Sequence, residues 1–143
     1  MLSTSSDLAS RLRLDISRVA RRLRQEAGAA LTPSQTAALA TIEKHGPLTP
    51  SELATRERVQ RPTATRVLSF LEDAGLITRA PDPSDRRCSL VSVSDRGREL
   101  LAEARTRKDA YLAQRLEALS ADDRAALERA AGVLERMLEE GGE

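Results

Sequence analysis

Apolar residues recur every three or four positions along the beginning of the chain, and most of the residues between them are polar. Five residues carry this spacing: Leu8, Leu12, Ile16, Val19 and Leu23. Because an α-helix has a period of about 3.6 residues, such a series lies on one of its faces. The pattern predicts an amphipathic helix over residues 6–27, and Gly28 is suited to end it.

The second and third predicted helices begin with the same device, a threonine followed by a proline. Thr32 can cap the free amides of the first turn, and Gln35 can reach back to the cap. Pro33 suits the first helical position, where the helix leaves an amide hydrogen unused. This helix is predicted to run to about His45. Thr49 begins a third helix of barely two turns in the same way.

The middle of the chain combines a fourth helix with a predicted β-hairpin. Pro62 suits the first turn of this helix, and Gly75 suits the position just after its end. Residues 76–79 and 88–93 are partly alternating and contain β-branched side chains, which predicts two strands. Residues 80–87, rich in Pro, Asp and Arg, are expected to form a charged tip between them.

Two more helices complete the pattern. Ser94 can cap a long fifth helix, and Ser120 can cap a sixth. Their expected apolar faces consist of Leu100, Leu101, Ala104, Tyr111, Leu112, Leu116 and Leu119 in the fifth, and of Leu127, Ala131, Leu134 and Leu138 in the sixth. The predicted fold class is therefore mostly α with a small β-hairpin.

The third and fourth helices and the hairpin follow one another as they do in a winged helix-turn-helix. The second helix of that motif enters the DNA major groove, and its first turns contact base edges. The side chains there are small, polar or basic, as base reading requires, and we expect them to bind DNA: Arg61, Pro62, Thr63, Thr65, Arg66 and Ser69. Leu68 and Leu71, on the opposite face, are expected to anchor the helix to the core.

The hairpin tip offers a second candidate contact with DNA. An arginine of the tip, Arg86 or Arg87, can reach into a narrow minor groove, where the potential is most negative. Asp85 can hold Arg87 in that direction. The alternative interpretation is that these arginines, like those of the fourth helix, are ordinary surface charges, paired in the tip with Asp82 and Asp85.

Length and composition narrow the remaining possibilities. The chain has 143 residues, of which 40% are hydrophobic, and this fits a single domain with one core. The net charge of +1 does not by itself indicate a nucleic-acid partner. Cys88 is the only cysteine and His45 the only histidine, which excludes an intramolecular disulfide and the usual zinc sites. No apolar run is long enough for a membrane span, so we expect a cytoplasmic protein with no membrane partner.

The sequence contains none of the motifs of a common enzyme active site. It has no glycine-rich phosphate loop, no Gly-x-Ser-x-Gly element and no metal-binding cluster. We therefore expect no catalytic residue, no metal and no cofactor. Cys88 is a weak candidate for a redox sensor, because a reactive thiol needs a lowered pKa, which Arg86 and Arg87 could supply. His45 is expected to be a helix-end residue whose charged form the helix dipole favours.

Three segments together resemble the MarR family of regulators: Glu72-Asp73-Ala74-Gly75-Leu76-Ile77-Thr78-Arg79, Asp82-Pro83-Ser84-Asp85-Arg86-Arg87 and Val93-Ser94-Asp95-Arg96-Gly97. The resemblance covers nearly the whole chain, although Ser94 stands where the family usually has threonine. It implies that Pro62 and Arg66 contact DNA from the recognition helix. It also implies that Arg87 enters the minor groove and that Asp85 orients it.

The resemblance further implies an organisation for the molecule. One MarR-like domain would cover residues 1–143, with a winged helix-turn-helix lobe at 33–94 and dimerisation helices at 6–30 and 95–140. The first, fifth and sixth helices would interlock in a homodimer. A ligand crevice would lie between this region and the DNA-binding lobe.

Several functions are consistent with this sequence pattern. The first is a dimeric repressor on a pseudo-palindromic operator in double-stranded DNA, released by a small aromatic or phenolic ligand. The ligand rests on the family alone. The second is a ligand-independent architectural or nucleoid-type protein that binds DNA without sequence preference. A purely structural helical module would leave the hairpin arginines unused, and an enzyme lacks the residues it needs.

Overall fold

The structure, a computed structural model, describes residues 4–141. Within them it contains six helices and two strands, in the order that the sequence predicts. In chain order these are α1 (Ser5–Ala27), α2 (Pro33–His45), α3 (Pro50–Glu57), α4 (Arg61–Asp73), β1 (Ile77–Asp82), β2 (Asp85–Val93), α5 (Asp95–Glu117) and α6 (Ala121–Glu140). The expected fold class, mostly α with a small hairpin, is confirmed.

The helices begin where capping side chains can bind the free amides of the first turn. At α2 the cap is reciprocal: Thr32 Oγ1 accepts from the Gln35 amide at 3.2 Å, and Gln35 Oε1 accepts from the Thr32 amide at 3.0 Å. At α3 the structure shows one half of the device, with Thr49 Oγ1 accepting from the Glu52 amide at 3.2 Å. These local bonds explain why the sequence alone indicated both helix starts.

The hydrophobic core lies between α2, α3, α4 and the hairpin. Leu39 and Ile42 of α2, Leu53 of α3, and Leu68 and Leu71 of α4 are completely or almost completely buried. The loop before α3 joins this core, because the Leu48 amide donates to the Val91 carbonyl and the Val91 amide donates to the Leu48 carbonyl, at 3.0 and 2.7 Å. The core thereby fixes α4 against the hairpin.

The hairpin is longer than the sequence indicated. β1 and β2 pair in antiparallel register from Ile77 opposite Val93 to Asp82 opposite Asp85. The charged tip expected at residues 80–87 is therefore mostly strand, and a two-residue turn, 83–84, connects the strands. The Asp82 carboxylate accepts from the Ser84 amide and closes this turn, a local bond that strand propensity does not capture.

The chain divides after Lys108 into two compact units. The first contains α1 to α4, the hairpin and the first part of α5, and the core described above lies within it. The second contains the rest of α5 together with α6. Among residues 109–141 no side chain is buried, so the second unit lacks a core of its own.

Candidate nucleic-acid interface

The turn between α3 and α4 sets the direction of the second helix. Arg58 ends α3 in the left-handed region, with φ 54° and ψ 45°. The amide of Val59 donates to the carbonyl of Ala54 at 3.0 Å, which folds the turn back onto α3. Gln60 precedes α4 in an extended conformation, and Arg61 is the first helical residue. Two short helices thus meet at a tight turn, as in a helix-turn-helix.

Helix α4 has one buried and one exposed face. Ala64, Leu68 and Leu71 are buried in the core. The residues expected to bind DNA lie on the other face, where one is half-buried, Thr63, and the rest are exposed: Arg61, Pro62, Thr65, Arg66 and Ser69. The structure therefore brings the helical half of the expected site together on one accessible surface.

One side chain of this surface is held by a partner that the sequence did not indicate. Arg61 donates from Nη1 to the hydroxyl of Ser51 on α3. In addition, the Thr65 hydroxyl donates to the Arg61 carbonyl at 3.0 Å. The sequence pattern did not indicate this partner, because a contact over ten positions leaves no periodic signal. Ser51 is thus a missed residue that positions Arg61.

In the wing, formed by β1, β2 and their turn, a carboxylate orients an arginine. Asp85 Oδ1 accepts from the Arg87 amide at 3.0 Å and from Arg87 Nε at 3.4 Å. The Arg87 side chain remains 92% exposed, so the contact directs the guanidinium without covering it. Arg86 is also exposed. The geometry fits the roles that the resemblance implies for Asp85 and Arg87.

The surroundings of Cys88 in the wing disfavour a thiolate. The Ser84 amide and hydroxyl, which donate to Asp82 at 2.9 and 2.8 Å, lower the pKa of the Asp82 carboxyl. Partial burial and the neighbouring Asp85 carboxylate raise the pKa of the Cys88 thiol. Because the thiolate is the reactive form, this environment opposes a redox-sensing role for Cys88.

His45 behaves differently from the sequence expectation. The residue does end α2. However, loss of solvent contact, followed by the charges of Arg56 and Lys44, lowers the pKa of His45. The pKa is therefore shifted in the direction opposite to the one expected from the helix dipole, with desolvation as the largest cause and the two neighbouring cations adding to it.

Neither a metal site nor a membrane-spanning helix is present in the part of the chain that the structure describes. Over residues 4–141, no three side chains of His, Cys, Asp or Glu are grouped in a way that could hold a metal ion. In the same range, no helix has both the length and the apolar character needed to cross a membrane. The exposed face of α4 and the wing therefore remain the candidate site.

Comparison with known proteins gives consistent matches. The model of the MarR family matches residues 31–89. An HTH-type transcriptional regulator of Mycobacterium bovis is 41% identical over 141 residues, which cover 98% of this chain and 99% of that protein. The HTH-type transcriptional repressor MdtR of Bacillus subtilis is 33% identical over 65% of this chain and 60% of its own length. A solved structure described as a transcriptional regulator protein of Pseudomonas aeruginosa aligns with a TM-score of 0.84 and 36% identity, covering 95% of this chain and 98% of that chain.

Proposed function

The chain belongs to the MarR family, and we propose that it is a dimeric repressor that binds a pseudo-palindromic operator through α4 and the wing. As a member of that family it is a DNA-binding regulator of transcription and not an enzyme. Our proposal adds four things to this family function: the operator, the repressor action, the dimer and the ligand response.

The observation that carries the proposal is the exposed face of α4, together with the orientation of Arg87 by Asp85 in the wing. Small, polar and basic side chains occupy the first turns of a helix whose other face is fixed in the core, so the face is rigidly presented. Arg66 and the hydroxyl of Thr65 can approach base edges in the major groove. Arg87, directed by Asp85, can enter the adjacent minor groove.

The apolar surfaces of α1 and α6 support a homodimer. Neither α1 (Ser5–Ala27) nor the described part of α6 contains a buried residue. Ile16 of α1 is 50% exposed and Leu138 of α6 is 81% exposed, although both lie on the apolar faces that the sequence predicts. Large exposed apolar side chains in series are unfavourable in water and mark an interface. A second copy of the chain is the proposed partner.

We propose the domain organisation that follows from this dimer. Residues 33–94 form the winged helix-turn-helix lobe, and residues 6–30 and 95–140 supply the dimerisation helices of one MarR-like domain. A two-fold dimer would place its two recognition helices on half-sites about one helical turn of DNA apart. Because the DNA of a bacterial regulator is cytoplasmic, we also propose a cytoplasmic location.

The repressor action and its release are proposed on weaker support. One of the similar proteins carries the name of a transcriptional repressor. A dimer on an operator can exclude RNA polymerase, and a ligand that binds the unbound form better would shift the population away from DNA. A small ligand is compatible with a cavity beside α1, α2 and α5.

Fluorescence anisotropy with the purified protein tests DNA recognition. The protein is titrated onto the DNA upstream of its own gene and onto a scrambled duplex of the same composition, at one physiological salt concentration. We expect binding to the upstream DNA at least about a thousandfold tighter, with two chains for each operator. Equal affinity for both duplexes would instead favour the architectural type of protein.

An alanine variant tests the residues of the site. Arg87→Ala is expected to cost about 1–3 kcal/mol of specific affinity for each half-site. Arg129→Ala is the matched control, because Arg129 is an exposed arginine of α6 outside the candidate site. If both variants bind like the parent protein, the wing does not contact DNA. A reporter gene placed behind the operator then distinguishes repression from activation.

A further inference from the structure

The wing leaves the hydrophobic core partway along its two strands. Ile77 of β1 and Val91 and Val93 of β2 are buried in that core. Between them, none of residues 80–90 is buried. A two-stranded ribbon by itself is only marginally stable in water, and it has no packing of its own to fix its direction. The direction of the wing therefore depends on contacts at the place where it leaves the core.

An ion pair joins the wing to α4 at this place. Arg79 of β1 lies opposite Val91 in the strand pairing. Its Nε donates to Oε2 of Glu72 at 2.8 Å, and Glu72 belongs to the last turn of α4. In the part of the chain that the structure describes, no other ion pair links the hairpin to a helix. The two halves of the candidate interface are thus connected directly through these two side chains.

The same guanidinium also reaches across the hairpin. Arg79 Nη1 donates to the Ser89 hydroxyl of β2, a longer contact of 3.5 Å. Arginine suits such a position because its planar group carries several donors in a fixed arrangement. Glu72, Arg79 and Ser89 therefore form a chain of contacts that runs from α4 through β1 to β2.

Neither member of the ion pair has a role in the proposed function, although both lie in the first segment that resembles the family. Arg79 is poorly suited to bind a phosphate, because Glu72 already neutralises its charge. Its side chain is 27% exposed, against 92% for Arg87. Partly exposed ion pairs also contribute little to the free energy of unfolding. The consequence of this pair is therefore geometric.

A small change of angle at the base of the wing moves Arg87 far from its place. Arg87 is four residues from Val91 along β2, which corresponds to about 13 Å at about 3.3 Å per residue. With that spacing, a tilt of about 10° at Val91 displaces Arg87 by about 2 Å. A hydrogen bond does not survive a displacement of this size. Contact of α4 with the major groove and of Arg87 with the minor groove therefore requires a fixed angle between them.

We propose that the Glu72–Arg79 ion pair is a positioning contact that holds the wing at one angle to α4, so that Arg87 meets the minor groove when α4 lies in the major groove. This inference rests on the proposed operator binding and adds the residues that couple its two contacts. Without the pair, the wing occupies other angles as well, and operator affinity falls with the fraction of wings that are correctly placed. Because an exposed pair biases this equilibrium weakly, the expected loss is about two- to fivefold for each half-site.

Two variants that break the pair change the net charge in opposite directions. Arg79→Gln and Glu72→Gln are titrated onto the upstream DNA and onto the scrambled duplex. The ratio of the two affinities is compared, because a change in net charge alters binding to both duplexes. We expect this ratio to fall in both variants, and an unchanged or higher ratio in Glu72→Gln would overturn the inference. Arg98→Gln, the matched control, loses an arginine that is paired with Asp95 on α5, outside the site, and should keep the ratio of the parent protein.

A reversed ion pair distinguishes positioning from direct contact with DNA. Glu72→Arg combined with Arg79→Glu leaves the net charge unchanged and permits the opposite pair. The Ser89 hydroxyl can then donate instead of accept. We expect the reversed pair to restore most of the affinity ratio. A carboxylate cannot replace an arginine that binds phosphate, so a reversed pair as weak as Arg79→Gln would assign Arg79 to a direct contact and overturn the inference.

The Arg87→Ala protein shows whether the pair acts through the arginine of the wing. If the pair matters because it places Arg87, then Arg79→Gln should lose most of its effect when Arg87 is absent. A role in stability alone, or in binding phosphate, does not depend on Arg87. An undiminished effect of Arg79→Gln in the Arg87→Ala protein would therefore contradict the proposal.

Nuclear magnetic resonance on the full chain without DNA separates this inference from the proposed function. In the parent protein, the residual dipolar couplings of amides 80–90 and of α4 should fit one orientation. In Arg79→Gln and Glu72→Gln, the couplings of residues 80–90 should shrink, because the wing samples several angles. Unchanged couplings in both variants would overturn the inference even if the operator is bound specifically. If the couplings shrink but no duplex is bound specifically by the parent protein, the pair positions the wing and the repressor proposal is wrong.

Discussion

The winged lobe and the two helices α1 and α6, called the outer helices below, have the same kind of apolar pattern but differ in how much of it is buried. Helices α2 to α4 and the helices α1 and α6 all carry apolar residues at helical spacing. In the lobe these residues are buried, as Leu39 and Leu68 show with no exposed surface. In α1 and α6, over the described residues, not one is buried. Periodicity therefore predicts which face is apolar, but it does not predict what covers that face.

The difference has an energetic consequence for each region. Complete burial of a leucine or isoleucine side chain contributes about 1.5–3 kcal/mol. The lobe gains this contribution within one chain, whereas α1 and α6 leave much of it unrealised. The lobe is therefore expected to fold from its own core, and the outer helices are expected to depend on the proposed second copy for stability.

The largest expected contrast comes from removing one leucine in each region. Leu68→Ala creates a cavity in a closed core and is expected to lower the free energy of unfolding by about 2–5 kcal/mol. Leu138→Ala, at a side chain that is 81% exposed, is expected to change it by less than about 0.5 kcal/mol at a concentration where the chain is monomeric. Urea denaturation followed by circular dichroism measures both.

The same pair of variants can also show that this contrast between the lobe and α6 is wrong. A loss at Leu138 as large as that at Leu68, independent of protein concentration, would show that α6 is covered within its own chain. A loss that grows with protein concentration would show instead that a second copy covers it.

Most of the secondary structure was predictable because its signals are local. Thr32 and Gln35, with Ser94 and Ser120, mark helix starts by bonds within one turn. Gly75, with φ +74°, marks a helix end because its lack of a side chain permits the left-handed conformation. The exposed face of α4 was predictable for the same reason, since three- and four-residue spacing fixes it.

The features that could not be predicted depend on contacts between distant positions. The pairing of Leu48 with Val91 joins a loop to a strand 43 positions later and leaves no pattern in either segment. The bond from Arg61 to Ser51 is similar. The length of the hairpin was underestimated because proline and aspartate, here Pro81 and Asp82, are typical of loops. In the structure both residues are paired within the antiparallel strands.

A second contrast uses one substitution, glycine to alanine, in each region. At Gly97, near the start of α5, a Cβ would lie 2.3 Å from the Leu76 carbonyl oxygen and 2.8 Å from Val93 Cγ2. Gly97→Ala must displace that backbone and is expected to cost about 1–3 kcal/mol. At Gly132 of α6, the nearest atom would be the flexible end of Arg136 at 3.6 Å. Gly132→Ala is expected to stabilise the helix by about 0.5–1 kcal/mol.

Thermal unfolding of the two alanine variants measures this contrast. Gly132 lies away from the face of α6 that carries Leu134 and Leu138, so the proposed dimer interface should not reverse the sign. A stabilised Gly97→Ala variant would mean that α5 does not approach Leu76 as closely as the structure shows. Destabilisation by Gly132→Ala would place a packed surface on the polar side of α6.

The smallest contrast concerns helix caps of the same chemical type. Ser94 Oγ accepts from the Gly97 amide at 3.1 Å and donates to the Gly75 carbonyl at 2.7 Å, so it joins α5 to the end of α4. Ser94→Ala removes both bonds and is expected to cost about 1–2 kcal/mol. Thr4 caps α1, which is exposed. Among the contacts of residues 4–141, the Thr4 Oγ1 accepts one hydrogen bond, from the Asp7 amide at 3.0 Å. Thr4→Ala is therefore expected to cost about 0.5 kcal/mol.

Chemical denaturation measures both losses, and Ser94→Thr is the control because it keeps the hydroxyl. Its free energy of unfolding should be close to that of the parent protein, because the second bond and not the size of the side chain distinguishes the two caps. Equal losses at Ser94 and Thr4 would show that the bond to Gly75 adds nothing to the stability of the lobe.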